Sequence, residues 1–268
     1  FKSKIILISG PTASGKSNFA INLAKKINGE IVNADSMQVY KQLKILSARP
    51  DQKKYQNIRH HLYGFHDAKK NFSTGNWLKL VFKKIDEIKR RKKIPILVGG
   101  TGLYFKTLTD GLVKIPNIPV KLRNQIRVMH SKIGQDKFYK KLLKLDKTSK
   151  NKINLTDPQR SIRAYEVKLF TKKSIHEWYK NTKSNFQKGD FFKIYIDYPR
   201  AELIDRINLR SKEMIKNGAI KEVKNFIKLN VRKDKSVNKA IGINEIRQYL
   251  NNEKELEEII ENISIKTR

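Results

Sequence analysis

Cysteine is absent from the 268 residues. Its absence excludes disulfides, iron–sulfur clusters and cysteine zinc sites, and it fits a reducing compartment, so a cytoplasmic location is expected. Long apolar runs are missing too. No stretch approaches the ~18 apolar residues of a membrane span, and no membrane partner is expected. The short apolar segment near the start runs straight into a glycine-rich loop and reads as a core strand, not a secretory signal. The chain opens on Phe1 and closes on Thr267-Arg268, so an initiator Met and further C-terminal residues are expected outside it. Acid is scarce: 25 Asp and Glu stand against 59 Lys and Arg, a net charge of +34. Such a field points to a polyanion, most simply nucleic acid. A Lys-, Ile- and Asn-rich composition along the whole chain would also give solvated lysines with no partner. Residues 114–190 hold 20 Lys and Arg against 6 acids, a modest local enrichment. Apolar content of 38% is low but enough for one large α/β domain, or for a core with an inserted subdomain.

What is present is a phosphate loop. Gly10-Pro11-Thr12-Ala13-Ser14-Gly15-Lys16-Ser17 has the spacing G-x-x-x-x-G-K-[ST]. Lys4–Ser9 before it reads as a buried strand. Asn18–Ile27 after it reads as an amphipathic helix with Phe19, Leu23 and Ile27 on one face. Strand, loop and helix together aim unpaired backbone N–H groups and the positive helix end at one point. Lys16 adds a full charge there, and the Ser17 hydroxyl is suited to a Mg²⁺ ligand position. The chain therefore binds a di- or triphosphate group; the loop does not say whose.

Further strands are expected at 30–34, 94–98 and 192–197, with helices at 77–91, 200–229 (interrupted near Gly218) and 253–266. This alternation predicts an α/β fold, a P-loop NTPase-like doubly wound parallel sheet. Residues 115–188 break the alternation. Pro116 and Pro119 punctuate the entry, and Leu122, Ile126, Met129 and Ile133, then Phe138, Leu142 and Leu145, recur at helical spacing. A helical insertion subdomain is expected there, between core segments 1–114 and 189–268.

Three groups carry possible chemistry. Asp35 follows the second strand, at the sheet edge where ligands bind; it could orient Mg²⁺, cap a helix, or act as general base. Thr101, after the third strand, would face the same crevice unless it serves as a helix cap. Arg206 and Arg210 lie one helical turn apart and could clamp a diphosphate, although paired arginines on a basic protein commonly face water.

Five segments then occur in order: GPTASGKS (10–17), DSMQVY (35–40), LVGGTGLY (97–104), DPQRSIRAYE (157–166) and KAIGINEI (239–246). Together they resemble the tRNA dimethylallyltransferases (tRNA isopentenyltransferases) over nearly the whole chain. The resemblance implies transfer of a dimethylallyl group from dimethylallyl diphosphate to N6 of the adenosine 3′ of the tRNA anticodon. Gly10 to Ser17, with Mg²⁺, would then hold the leaving diphosphate, Asp35 would serve as base and Thr101 would orient substrate. Asp35, Ser36, Met37, Gln38, Thr101, Arg123, Gln159, Arg160, Ser161, Ile162, Arg163 and Lys239 would meet the anticodon stem-loop. Ile243 and Asn244 stand where the family commonly has an aromatic and a basic residue, which puts contacts there in doubt. His60-His61 also resembles a family segment, and no metal is assigned to it. Rival readings are a P-loop small-molecule kinase using ATP, an adenylate isopentenyltransferase acting on free nucleotide, and a non-enzymatic P-loop RNA-binding switch. The helical insertion and DPQRSIRAYE favour tRNA over a free nucleotide. A monomer is the default expectation.

Overall fold

The computed structural model describes residues 4–268. They divide into two compact units, one formed by Phe186–Arg268 with the described residues up to Thr109, the other by Asp110–Asn185. The sequence-based insertion, 115–188, is thus displaced by a few residues at each end.

The first unit is built on five parallel strands: β1 (Ile5–Ser9), β2 (Gly29–Asn33), β3 (His60–His61), β4 (Ile94–Val98) and β5 (Phe191–Tyr195). Their order is β3-β2-β4-β1-β5. Side chains alternate across the pleat. Ile5 and Leu7 join Trp77, Val81, Ile85 and Ile88 of α2 (Thr74–Arg90) on one face. Ile6 and Ile8 join Ala20, Ile21 and Ala24 of α1 (Lys16–Ile27) on the other. Core strands covered on both faces are the expected reading of such apolar runs.

The face of α1 differs from expectation. Ala20 and Ala24 are fully buried while Phe19 is 40% exposed. Two alanines let the helix sit close on the sheet, so Leu23 and Ile27 pack only at the sides of the contact.

β3 is an addition to the expected strands. It is two polar residues long and is held by Glu30 of β2, whose carboxylate is 2.7 Å from His61 Nε2. α3 (Gly102–Asp110) follows β4. Beyond β5, α7 (Arg200–Lys216), α8 (Ala219–Lys228), α9 (Ile243–Leu250) and α10 (Leu256–Thr267) enclose a separate apolar cluster, which includes Val39, Leu43 and Leu46. α9 begins within the KAIGINEI segment and runs past it to Leu250, and Ile243 is fully buried in that cluster.

The second unit holds α4 (Val120–Leu145), α5 (Pro158–Thr171) and α6 (Ile175–Lys180). α4 kinks at Gly134, where φ is 77°. Ile126, Phe138 and Leu142 are buried with Ala164 and Val167, and Leu122, Met129, Ile133 and Leu145 pack around them. No helix among the described residues is long and apolar enough to cross a membrane.

Candidate active site

The carboxyl ends of β1, β2 and β4 carry the three segments singled out above. Parallel order brings them to one edge of the sheet, where successive connections diverge and leave a crevice. Close approach is required there. A Cβ on Gly99 would stand 2.1 Å from the carbonyl oxygen of Ala34 and 2.8 Å from the amide of Asp35. Gly10, at φ 151°, likewise presses on the Ile196 carbonyl.

Beyond the crevice opens a cavity of about 710 Å³ lined by Thr12, Ala13, Gly15, Lys16 and Ser17 of the loop. Arg206 and Arg210 of α7 line it as well, Arg210 half-buried and Arg206 exposed to solvent at its mouth. Arg206 donates to the Ala13 carbonyl at 3.3 Å, and its guanidinium lies 4.1 Å over the Tyr198 ring. Burial pulls the Lys16 ammonium below its usual pKa, with Arg210 adding to the effect and Asp35 opposing it. Burial likewise lowers Arg210, again opposed by Asp35. Two cations and one carboxylate thus share a partly desolvated space, which leaves positive charge for a bound anion to balance. Lys16 Nζ donates to the Pro11 carbonyl. Gly10, Pro11 and Ser14 do not line the cavity; Ser14 is buried, and its hydroxyl has no hydrogen-bond partner among the described residues.

Asp35 is held by its neighbours. Its amide donates to Asn33 Oδ1 at 2.9 Å, and its Oδ1 accepts from the amides of Met37 (2.8 Å) and Gln38 (3.2 Å). The carboxylate therefore caps a turn with one oxygen, while the other has no hydrogen-bond partner among the described residues. Asn33 is fully buried, with its side-chain nitrogen bonded to the carbonyls of Asp35 and Leu62 and its own carbonyl to Trp77 Nε1. It is a positioning residue that sequence reading missed. Its one signal was a polar residue closing an apolar strand.

A second cavity, about 220 Å³, adjoins the first, with Asp35, Thr12, Ser47, Arg210 and Met214 lining both. Its own walls are more apolar than the first cavity's, from Met37, Leu46, Ile207, Ala240, Ile241 and Ile263, with Ser211, Lys239 and Thr267 among them. Gln38 lines the first cavity. Thr101 lines neither. Its hydroxyl accepts from the Ser36 amide at 2.9 Å, which fastens the 35–40 segment to the end of β4.

Among the described residues no group of three His, Cys, Asp or Glu could hold a metal. A divalent ion would depend on phosphate oxygens, with the Ser17 hydroxyl as the loop's contribution. That donor set, one protein oxygen plus substrate phosphates and water, is the kind Mg²⁺ accepts, so the residues present fit it.

In the helical unit, Arg123 and Arg163 converge on the buried Glu166, at 3.7 and 3.3 Å. Gln159 and Arg160 are exposed, and Arg160 pairs with Asp157. Ser161 is fully buried and accepts from Gln135 at 3.2 Å, and Ile162 is half-buried against the apolar cluster of this unit. Ser161 faces inward because α5 buries one stripe, which removes its side chain from any direct surface contact.

Five parallel strands, a phosphate loop after β1 and a carboxylate after β2 define a P-loop NTPase-like α/β protein. The comparisons narrow the class. A family model described as IPP transferase matches residues 38–268. The chain is 62% identical over 267 residues to the tRNA dimethylallyltransferase of Pelagibacter ubique, covering all of this chain and 85% of that protein. It is 43% identical to the tRNA dimethylallyltransferase of Rickettsia massiliae, with 100% and 74% covered. A crystal structure of the tRNA isopentenylpyrophosphate transferase of Bacillus halodurans superposes with a TM-score of 0.68 at 29% identity, over 99% of this chain and 83% of that one. A eukaryotic dimethylallyltransferase acting on tRNA gives 0.84 at 29% identity, with 99% and 67% covered. The chain belongs to the IPP transferase family.

Proposed function

We propose that this chain transfers the dimethylallyl group of dimethylallyl diphosphate to N6 of the adenosine 3′ of the anticodon in tRNA, releasing diphosphate. The observation that carries the reading is the place of Asp35, where the phosphate-loop cavity meets a second, more apolar one. One substrate can then rest its diphosphate in the loop while the acceptor base reaches the carboxylate. A small-molecule kinase would also seat its acceptor beside its acid, so the assay below, and not this chamber, separates that rival.

In the proposed step the N6–C1 bond forms as the C1–oxygen bond breaks. The departing diphosphate takes that electron pair, and a proton passes from N6 to Asp35. Loop amides, Lys16, Arg206 and Arg210 meet the negative charge that grows on the leaving oxygens, a contribution that commonly dominates such reactions. Mg²⁺, when bound with the Ser17 hydroxyl, supplies further neutralisation of the diphosphate. An adenine amine is a weak nucleophile because its lone pair is delocalised. A carboxylate whose orientation is already fixed by the Met37 and Gln38 amides therefore suits the task. Thr101 serves this chemistry by holding Ser36, and through it the Asp35 turn.

The base must be extruded from the anticodon loop to arrive there. Met37 and Lys239 on the second cavity, Gln38 on the first, and Gln159, Arg160, Arg123 and Arg163 of the helical unit are assigned to tRNA contact. A monomer is the proposed working state, and the cysteine-free composition supports a cytoplasmic site of action. The test mixes the protein with unmodified tRNA, dimethylallyl diphosphate and Mg²⁺, without ATP, and weighs the tRNA. A gain of one prenyl group is expected. Prenylation of free AMP but not tRNA, or ATP turnover with no gain, would replace this reading with a rival.

A further inference from the structure

The segment after Tyr40 lacks regular structure between residues 41 and 51, yet it forms part of the cavity wall through Lys44, Ile45 and Ser47. Such a segment stays in place only if its backbone groups find partners. Three consecutive amides find the same one. Glu222, in the first turn of α8, accepts from Lys44 N and Ile45 N on Oε2, at 2.7 and 2.9 Å, and from Ile45 N and Leu46 N on Oε1, at 3.1 and 3.0 Å. Successive N–H groups converging on one point form a nest, and here a carboxylate 176 to 178 residues away fills it. The turn also carries strain, with Ala48 in the left-handed region at φ 45°. That conformation costs a residue with a Cβ about 1 kcal/mol and persists only where surrounding bonds hold it.

The next two carbonyls have a consequence for recognition. Gln38 Nε2 donates to the Ser47 and Ala48 carbonyls, at 3.0 and 3.4 Å. Both flank the amide nitrogen, so the side-chain oxygen is the group left for a ligand.

We infer that Glu222 is a positioning residue for acceptor recognition: it anchors residues 44–46 so that the following carbonyls fix Gln38 as a hydrogen-bond acceptor. The group Gln38 reads is then an N–H donor on a nucleotide, such as an exocyclic amine or a ring N–H, and not a bare ring nitrogen or carbonyl. The inference rests on the assignment of Gln38 to tRNA contact.

Steady-state kinetics with tRNA and dimethylallyl diphosphate test it. Glu222→Gln keeps the side chain's size and removes one acceptor oxygen. It is expected to raise KM for tRNA about tenfold, the equivalent of one broken hydrogen bond, while kcat and KM for dimethylallyl diphosphate stay within about twofold. Gln38→Ala should raise KM for tRNA similarly, and the double variant should be no worse than Gln38→Ala alone. Additive losses, an unchanged KM for tRNA, or equal shifts for both substrates would overturn the inference. Amide hydrogen exchange in the unaltered protein gives a readout independent of variant folding and of activity. Protection at 44–46 supports the anchor, whereas exchange as fast as at exposed loop amides removes it. Absence of prenyl transfer by the unaltered protein would instead overturn the functional reading, with exchange still reporting on Glu222.

Discussion

Asp35 has two duties on one side chain, and a substitution can separate them. Its Oδ1 caps the turn at Met37 and Gln38, so Asp35→Ala would disturb the loop as well as remove the base. Asn offers an oxygen at the same place without basicity. Asp35→Asn should therefore lower kcat by about 10²-fold and leave diphosphate affinity within about twofold, by single-turnover kinetics and calorimetry. A comparable fall in diphosphate affinity would move Asp35 into the metal shell. The two arginines have a different signature. Arg206 and Arg210 both face the loop cavity, and each is expected to give a charge-assisted bond to the leaving group. Arg210→Ala should weaken diphosphate binding by about tenfold or more, since a bond to a charged partner contributes about 1.5–3 kcal/mol. Arg206→Ala should cost less, because that guanidinium is already committed to Ala13 and Tyr198.

At the scale of elements, the β2–β3 edge depends on a buried charge. Glu30 is fully buried beneath Arg91, which bonds it at 3.1 and 2.7 Å, with His61 at 2.7 Å and Lys93 at 3.6 Å. Burial alone would raise this carboxyl. The Arg91 and His61 hydrogen bonds outweigh it and bring the pKa down from 4.5 to about 2. A depressed carboxyl contributes stability that is complete above its unfolded value and is lost as pH falls through the folded one. Arg91→Ala should therefore destabilise the protein at neutral pH by about 2–3 kcal/mol, less than the ~3–5 kcal/mol of a fully broken buried pair because His61 and Lys93 remain. In urea melts the gap between the two proteins should narrow as pH falls from 4.5 towards 2. A gap independent of pH would show that packing, not charge, is what Arg91 supplies. The same edge explains what sequence reading could and could not see. Ile5–Ile8 and Ile94–Val98 were legible because strands covered on both faces must be apolar throughout. His60-His61 was not, because a two-residue polar strand carries no periodicity, and its hold on the sheet lies in Glu30, 31 residues away. The phosphate loop and Asp35 were legible as local patterns. Their support from Asn33, Thr101 and Glu222 was not, since each works through backbone amides or carbonyls that any residue could supply. α9 was hidden likewise: it is short, and it begins at a glycine, Gly242, with no side-chain cap.

Across the whole molecule the largest quantity is charge. A net of +34 on 268 residues gives a long-range field that draws a polyanion and repels like chains. Where that field meets tRNA is a question about its distribution. Residues 114–190 carry a net of +14, and in the helical unit Arg123 and Arg163 are held on the buried Glu166 while lysines cover the exposed side. Lysines that meet phosphates release condensed counterions, so log affinity falls linearly with log salt, and the slope counts the phosphates neutralised. If the unit tracks the anticodon stem, charge reversal of exposed lysines such as Lys121 and Lys132 should weaken tRNA binding and make the slope shallower by about one for each phosphate no longer neutralised. Diphosphate affinity should not move, because the phosphate-loop cavity is lined by other residues. Were the composition merely solvated lysine, reversals at Lys121 and Lys132 would change the slope no more than reversals at Lys25 and Lys26, which close α1. Salt slopes on matched pairs of variants, taken from about 50 to 200 mM, decide between a built RNA surface and a basic coat without direction.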